Sequence, residues 1–311
     1  MGVLVDEVAA LYEAFVERRE SPLAELPIQY ADYAIWQRQW LQTEVLERLL
    51  DYWRERLAGA ALLELPSDYS RTAEQPVGSA SLIFDLSPEL TAALNELTRR
   101  EGVTMFMTLL ACWQLLLACY TGQEDIVIGS PIANRNRAEV EGLIGLFVNI
   151  LVLRTQVFGE LTFLELLARV REVCLGAYAH QDLPFEWVAE QLRSERELNR
   201  PPMVQVLFQL QNMPYQELRL PGLQITALPN ALGAAKVDLT LSMGETEGKL
   251  FGEFIYSENL SRETIVRMER QWRLLLQSVV DDPESPVSTL EMGTEEESVE
   301  LIGSFNKQLE V

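Results

Sequence analysis

The stretch Ser79-Ala80-Ser81-Leu82-Ile83-Phe84-Asp85-Leu86-Ser87-Pro88-Glu89-Leu90 sets the fold class, because its hydrophobic period changes within a few residues. Leu82, Phe84 and Leu86 alternate as in a half-buried strand, after which Ser87 and Pro88 supply an N-cap and a first-turn proline for a helix that stops near Gly102. Thr104 can cap the next helix, Met105 to Tyr120, which Gly122 ends; it is apolar nearly all round and is expected to be buried. Asp125 to Ser130 and Asn149 to Arg154, rich in Val, Ile and Leu, read as buried strands. Thr162 can cap a helix running to about Ala179, and Pro184 can open another. Further strands are expected at Val204 to Gln211, Leu223 to Ala227, Val237 to Ser242 and Leu250 to Tyr256, before a helix that Ser261 caps and that ends near Asp281. Strands in succession followed by a helix imply an α/β chain of the α+β kind, a mixed sheet covered by helices.

Upstream of this block, Leu4, Val8, Leu11 and Phe15 recur at helical spacing on one face, so the first helix needs a partner surface. With no N-cap or strand before it, the chain is expected to open in the middle of a structure. A second helical block, Tyr30 to Ala58, carries Tyr30, Tyr33, Trp36 and Trp40 and then Leu46, Leu49, Leu50, Trp53 and Leu57. Its aromatic face is read as core packing and not as a cofactor box, since the spacing is helical. Glu64 to Gly78, rich in Pro, Ser, Asp and Gly, reads as a linker or long crossing loop. Residues 281–311 hold nine acids and one lysine and read as a linker.

With 311 residues and 48% hydrophobic side chains, the chain can bury at least one substantial core, which excludes a disordered tail, a coiled coil and a disulfide miniprotein. Lys plus Arg number 25 against 47 Asp plus Glu, a net charge of −22, which argues against nucleic acid or an anionic membrane as partner. Cys112, Cys119 and Cys174 form no Cys-x-x-Cys pair, which fits a reduced, cytoplasmic protein. The run Met105 to Tyr120 is too short to span a bilayer comfortably, and Met1 to Phe15 lacks a basic leader, so neither membrane span nor targeting peptide is expected. The one histidine, His180, allows no multi-histidine metal site and no His-His catalytic pair. No Gly-rich phosphate loop, metal-spaced Cys/His cluster or Gly-x-Ser-x-Gly elbow occurs.

Taken in order, several segments resemble the condensation domain of nonribosomal peptide synthetases. Tyr30-Ala31-Asp32-Tyr33-Ala34-Ile35-Trp36 is similar to that family's Tyr-x-Asp-Phe/Tyr-Ala-x-Trp motif, and Ile144-Gly145-Leu146-Phe147-Val148-Asn149 to its Ile-Gly-x-Phe-Val-Asn motif. His180-Gln181-Asp182-Leu183-Pro184-Phe185-Glu186 resembles His-Gln-Asp-x-Pro-Phe-Glu. Arg196-Glu197-Leu198-Asn199-Arg200-Pro201-Pro202-Met203 resembles Arg-Asp-x-Ser-Arg-Asn-Pro-Leu less strictly. Lys236 to Leu241 and the helix after Ser261 also look familial, and Phe305-Asn306 resembles the lead-in to an adenylation domain.

The resemblance implies a fold related to chloramphenicol acetyltransferase: residues 1–75 as a helical remnant of the first lobe, 79–282 as the second lobe, 283–311 as an acidic linker toward an adenylation domain. It implies peptide-bond formation between aminoacyl or peptidyl thioesters on the 4'-phosphopantetheine arms of upstream and downstream carrier proteins, with no tightly bound cofactor and no metal. The family's His-His-x-x-x-Asp-Gly motif would lie just before residue 1, so no catalytic residue is assigned, and the 311 residues alone are expected not to condense. The alternative is a non-catalytic module that docks carrier proteins. Phe147, Val148 and Asn149 are candidates for the substrate or pantetheine tunnel; Asn149 could instead pin a loop backbone. Arg135 and Arg137 could meet a carrier-protein surface or the pantetheine phosphate, or belong to a solvated loop. Asp32, Trp36, His180, Asp182, Glu186 and Arg200 are motif residues with structural roles, Asp182 as a cap for the following helix. First-lobe helices without their sheet would leave apolar faces uncovered, which predicts self-association.

Overall fold

The computed structural model describes residues 2–69, 78–192, 204–211, 220–223, 235 and 237–293. The strand expected at Leu82 to Leu86 spans Ser79–Asp85 (β1), and its successor is the helix Pro88–Arg100 (α4), where the Ser87 side chain accepts from the Leu90 amide. The helices Gly2–Val16 (α1), Tyr30–Trp40 (α2) and Thr43–Leu57 (α3) precede β1. The block read as one helical run, Tyr30 to Ala58, therefore breaks at Leu41–Gln42, where Leu41 turns inward and is buried. Burying that leucine compensates for the interrupted hydrogen-bond ladder.

After α4 come Met105–Thr121 (α5), Asp125–Ile132 (β2), Ala138–Glu141 (α6), Asn149–Gln156 (β3), Phe163–Ala179 (α7) and Phe185–Leu192 (α8). Val206–Gln211 (β4), Leu239–Thr246 (β5), Lys249–Ser257 (β6) and Arg262–Asp281 (α9) complete the regular elements, with a 3-10 turn at Val287–Thr289. Thr104, Thr162 and Ser261 cap α5, α7 and α9 as expected, each accepting from a first-turn backbone amide. Of the strand expected at Leu223 to Ala227, Leu223 lies outside any strand, just past a turn, and the rest falls outside the described residues, as do Arg200 and its motif, Lys236 and Phe305-Asn306.

The six strands form one mixed sheet in the order β1-β6-β5-β4-β2-β3. β4 runs parallel to both β2 and β5, whereas β3 and β6 are antiparallel to their neighbours β2 and β5. The carboxyl ends of β2, β4 and β5 therefore point the same way, and β3 begins beside the end of β2, with Asn149 opposite Ile132. The helix α5 is buried against the sheet from Met107 to Leu117, which accounts for an apolar surface that a soluble helix could not otherwise carry. Trp113 lies edge to face with Trp272 of α9 and near Phe254 of β6, at 5.9 and 5.8 Å between ring centroids. Among the described residues no single helix is long and apolar enough to cross a membrane.

The helix α3 is tied to this lobe through buried Leu49, Leu50, Trp53 and Leu57. Arg154 of β3 donates to the carbonyls of Arg56 and Ala58 at 3.0 and 2.8 Å while pairing with Asp125 at 2.7 Å, closing the end of α3 against the sheet edge. By contrast, α1 buries only Ala14 and α2 buries no residue. Of the segment read as a linker, residues 283–292 lie along the lobe: the Val287 amide donates to Leu161 at 2.7 Å, and Val287 and Leu290 are buried.

Candidate functional site

A cavity of about 520 Å³ opens where the parallel strands end. Ser130, Pro131, Ile132 and Ala133 form its wall from the last residues of β2 and the loop beyond. Leu210 of β4, Glu245 of β5 and Tyr178 of α7 add to it, and the start of α5 brings Thr104, Met105 and Phe106. This is where an open sheet with parallel strands presents loops and helix starts to a ligand, since the strands deliver side chains to one rim while their hydrogen bonds remain intact. Burial pushes the Tyr178 phenol above its ordinary value, with Cys174 acting in the same direction, so near neutrality it is a neutral hydroxyl that can donate or accept.

Asn149 stands at the edge of this region, across the ladder from Ile132, and is 7% exposed. Its amide nitrogen donates to the carbonyls of Gln181 and Leu183 at 2.9 and 2.8 Å. Its carbonyl oxygen accepts from the amides of Ile150 and Phe185, both at 2.9 Å. Two donors and two acceptors are thus all engaged by backbone. Asn149 fastens the start of β3 to the turn between α7 and α8, and it caps the first amide of α8 from a distant strand. Asp182 does not make that cap: its carboxylate accepts from Asn136 at 3.1 Å, because the strand residue already occupies the α8 terminus.

The other motif residues gather around the same loops. Phe147 is buried in a small cluster with Val140, Leu143, Ile28, Tyr30 and Tyr33, which is where the aromatic face of α2 finds its contacts. Its ring lies 5.2 and 4.8 Å from Tyr30 and Tyr33, and the Tyr30 hydroxyl donates to the Leu146 carbonyl at 3.0 Å. Val148 faces outward, 60% exposed. Gly145 lies against Tyr30 so closely that a Cβ there would collide with the ring, so this loop position requires glycine. Asp32 accepts from the Gln29 amide at 2.8 Å at the start of α2, and Trp36 stacks on Trp40. Glu186 is exposed in the first turn of α8, where a negative charge suits the helix dipole.

Arg135 donates to the carbonyls of Glu141 and Leu143 at 3.1 and 2.8 Å and lies 4.2 Å over the Phe147 ring. Arg137 is exposed and lies 4.4 Å over Trp36. His180 closes α7: Nδ1 lies 2.8 Å from the Gly176 carbonyl, its ring stacks on Tyr52 at 3.8 Å, and its carbonyl accepts from Trp53 at 3.2 Å. It joins α3 to the sheet lobe. Among the described residues no group of three or more His, Cys, Asp or Glu side chains is placed to hold a metal ion. Burial raises the thiols of Cys112 and Cys174, the latter to about 12, so these two are poor nucleophiles near neutrality, whereas Cys119 lies exposed at the surface.

The sequence reading missed the cavity residues, apart from the neighbouring loop. Ser130-Pro131 at the end of an apolar strand was a usable signal; Leu210 and Glu245 had none without knowledge of which strands pair.

This mixed sheet, with its helices and the braced loop ending in Asn149, is that of a condensation domain of the nonribosomal peptide synthetases, related in fold to chloramphenicol acetyltransferase; the chain belongs to that family, whose model, Condensation domain, matches residues 1–302. Among curated proteins it is 47% identical over 310 residues to one of the linear gramicidin synthase proteins of Brevibacillus parabrevis, covering 98% of this chain and 6% of that protein. It is 42% identical over 308 residues to malpinin synthetase of Mortierella alpina, covering 98% of this chain and 4% of that protein. Among solved structures, the X-domain from teicoplanin biosynthesis in complex with OxyB matches with a TM-score of 0.84 at 29% identity, over 95% of this chain and 67% of that one. The first condensation domain of the CDA synthetase shares the fold, with a TM-score of 0.73 at 18% identity, over 94% of this chain and 62% of that one.

Proposed function

We propose that the chain supplies a wall and the floor of the passage in which two carrier-bound thioesters meet, serving peptide-bond formation between aminoacyl or peptidyl groups. The observation that carries this reading is the cavity at the carboxyl ends of β2, β4 and β5, bordered by the family motif that ends in Asn149. In such a passage the acceleration comes largely from alignment of the two reactants; well-oriented intramolecular pairs reach effective molarities of ~10⁵ to 10⁸ M. Phe147 and the Asn149 clamp would hold the loop, and Val148 would face the passage. Arg137 is the freer of the two loop cations for a pantetheine phosphate or a carrier surface, because Arg135 is engaged by loop carbonyls. The partners would be upstream and downstream carrier proteins bearing 4'-phosphopantetheine, the rest of the condensation fold and an adjacent adenylation domain, in the cytoplasm.

The 311 residues by themselves would not condense. Their one histidine, His180, is stacked on Tyr52 and turned to the Gly176 carbonyl, and an absent proton-transfer group costs typically ~10² to 10⁴-fold in rate. Two loaded carrier proteins mixed with the purified chain should yield dipeptide no faster than without it, and efficient product formation would overturn that part. A carrier protein bearing its pantetheine arm should bind more tightly than the same carrier without it. Equal binding would argue against the passage itself. A second reading, a non-catalytic module that docks other proteins, is favoured by the likeness to the X-domain solved in complex with OxyB. It predicts binding to a carrier with or without the arm.

A further inference from the structure

The last turn of α7 carries a phenol to the cavity. Tyr178 lines that space, and its ring packs against the main core, so the hydroxyl is the part left for the cavity. Burial and the neighbouring Cys174 are what act on this phenol, and no hydrogen bond from the described residues is among them. Two other tyrosines differ: Tyr120 donates to Gln271, and Tyr30 donates to the Leu146 carbonyl. The turn itself is pinned on both sides of Tyr178. His180 Nδ1 lies 2.8 Å from the Gly176 carbonyl, and Asn149 donates to the Gln181 carbonyl at 2.9 Å. Elsewhere in the cavity the Thr104 hydroxyl accepts from the Met107 amide as the cap of α5, and Glu245, exposed at the rim, offers acceptor oxygens. Phe106, Pro131, Ile132 and Leu210 make the remaining wall apolar.

We propose that Tyr178 is the residue that aims the acyl group in the passage, its hydroxyl donating to the carbonyl oxygen beside the sulfur. The inference rests on the passage reading and adds to it a named donor. A phenol raised by burial keeps its proton near neutrality, as a donor must. Among apolar walls a hydrogen bond is stronger than in water, and one to a carbonyl oxygen strengthens as that oxygen gains charge under attack by an amine. The turn that begins at His180 then does more than join helices. Its contacts with Gly176 and Asn149 hold the tyrosine in the direction the carbonyl requires.

The test uses the 311-residue chain and two probes built on phosphopantetheine. One ends in a ketone, with methylene in place of the thioester sulfur and an isotope-labelled carbonyl; the other has methylene in place of that carbonyl as well. Calorimetry should show the ketone binding about fivefold more tightly, an advantage within reach of one neutral hydrogen bond. Tyr178→Phe, which removes only the hydroxyl, should bring the ketone to within about twofold of the methylene probe and leave the latter unchanged. The infrared band of the bound carbonyl should move to higher frequency in Tyr178→Phe, a change that a merely structural tyrosine would not produce. Ser130→Ala, at another hydroxyl of the wall, should leave the ketone's advantage in place. Equal affinities in the parent chain, an advantage that survives Tyr178→Phe, an unmoved carbonyl band, or an advantage lost with Ser130→Ala would overturn the inference and leave the passage intact. If neither probe binds, the passage reading falls and the inference with it.

Discussion

In α9, Ile265, Met268, Trp272, Leu275 and Leu276 recur at helical spacing and are all buried; in α1, Leu4, Val8 and Phe15 recur at the same spacing and are 40, 48 and 76% exposed. Both helices carry an apolar stripe, yet α9 is held by the sheet and its neighbours α4 and α5, whereas α1 reaches a distant part of the chain through a hydrogen bond from Tyr12 to the Pro221 carbonyl. Helix α3 lies between these extremes: it is anchored by Trp53 and by the Arg154 bridge to its carboxyl end. A hydrophobic stripe specifies which face will be buried; the energy comes only when a second surface arrives.

Mutations can sharpen that contrast. The largest loss is expected for Phe254→Ala in β6, whose ring packs against Phe84 and Trp113: about 3–5 kcal/mol, read as a fall in the urea midpoint. Asn149→Ala should cost about 2–3 kcal/mol, because four backbone groups lose their partner at once, two of them carbonyls in the α7–α8 turn. Hydrogen exchange should then quicken at Phe185 and Ile150 before it quickens in β2. His180→Ala should cost about 1–2 kcal/mol by removing the Tyr52 stack and the Gly176 contact, and should loosen α3 more than the sheet. Phe15→Ala should stay within about 0.5 kcal/mol. Replacing Leu4, Val8 and Phe15 by glutamate should lower self-association and binding of a hydrophobic dye without moving the urea midpoint. A large destabilisation by Phe15→Ala would erase the distinction between the two regions.

Much of the lobe was legible because its signals are short-range. Ser87-Pro88, Thr104, Thr162 and Ser261 each cap a helix through a backbone amide within three residues, and Leu82, Phe84 and Leu86 alternate within one strand. The break at Leu41–Gln42 was not legible: the sequence there has no Pro or Gly, and the interruption follows from Leu41 turning into the core. The roles in the His180 to Glu186 turn were legible only in kind. A cap for α8 was expected and found, but it comes from Asn149, 36 residues earlier than the Phe185 amide it accepts from, and Asp182 turns to Asn136 instead.

The amino-acid sequence by itself determined the order of most strands and helices in the sheet lobe, the caps of α4, α5, α7 and α9 and the family to which the chain belongs, since each depends on patterns or motifs within a few residues. Tertiary structure alone decided that β4 would lie between β2 and β5, parallel to both, and so bring Thr104, Ser130, Tyr178, Leu210 and Glu245 to one cavity. Strand pairing is chosen by the match of whole surfaces across long loops, and no local pattern records which strand will be the neighbour.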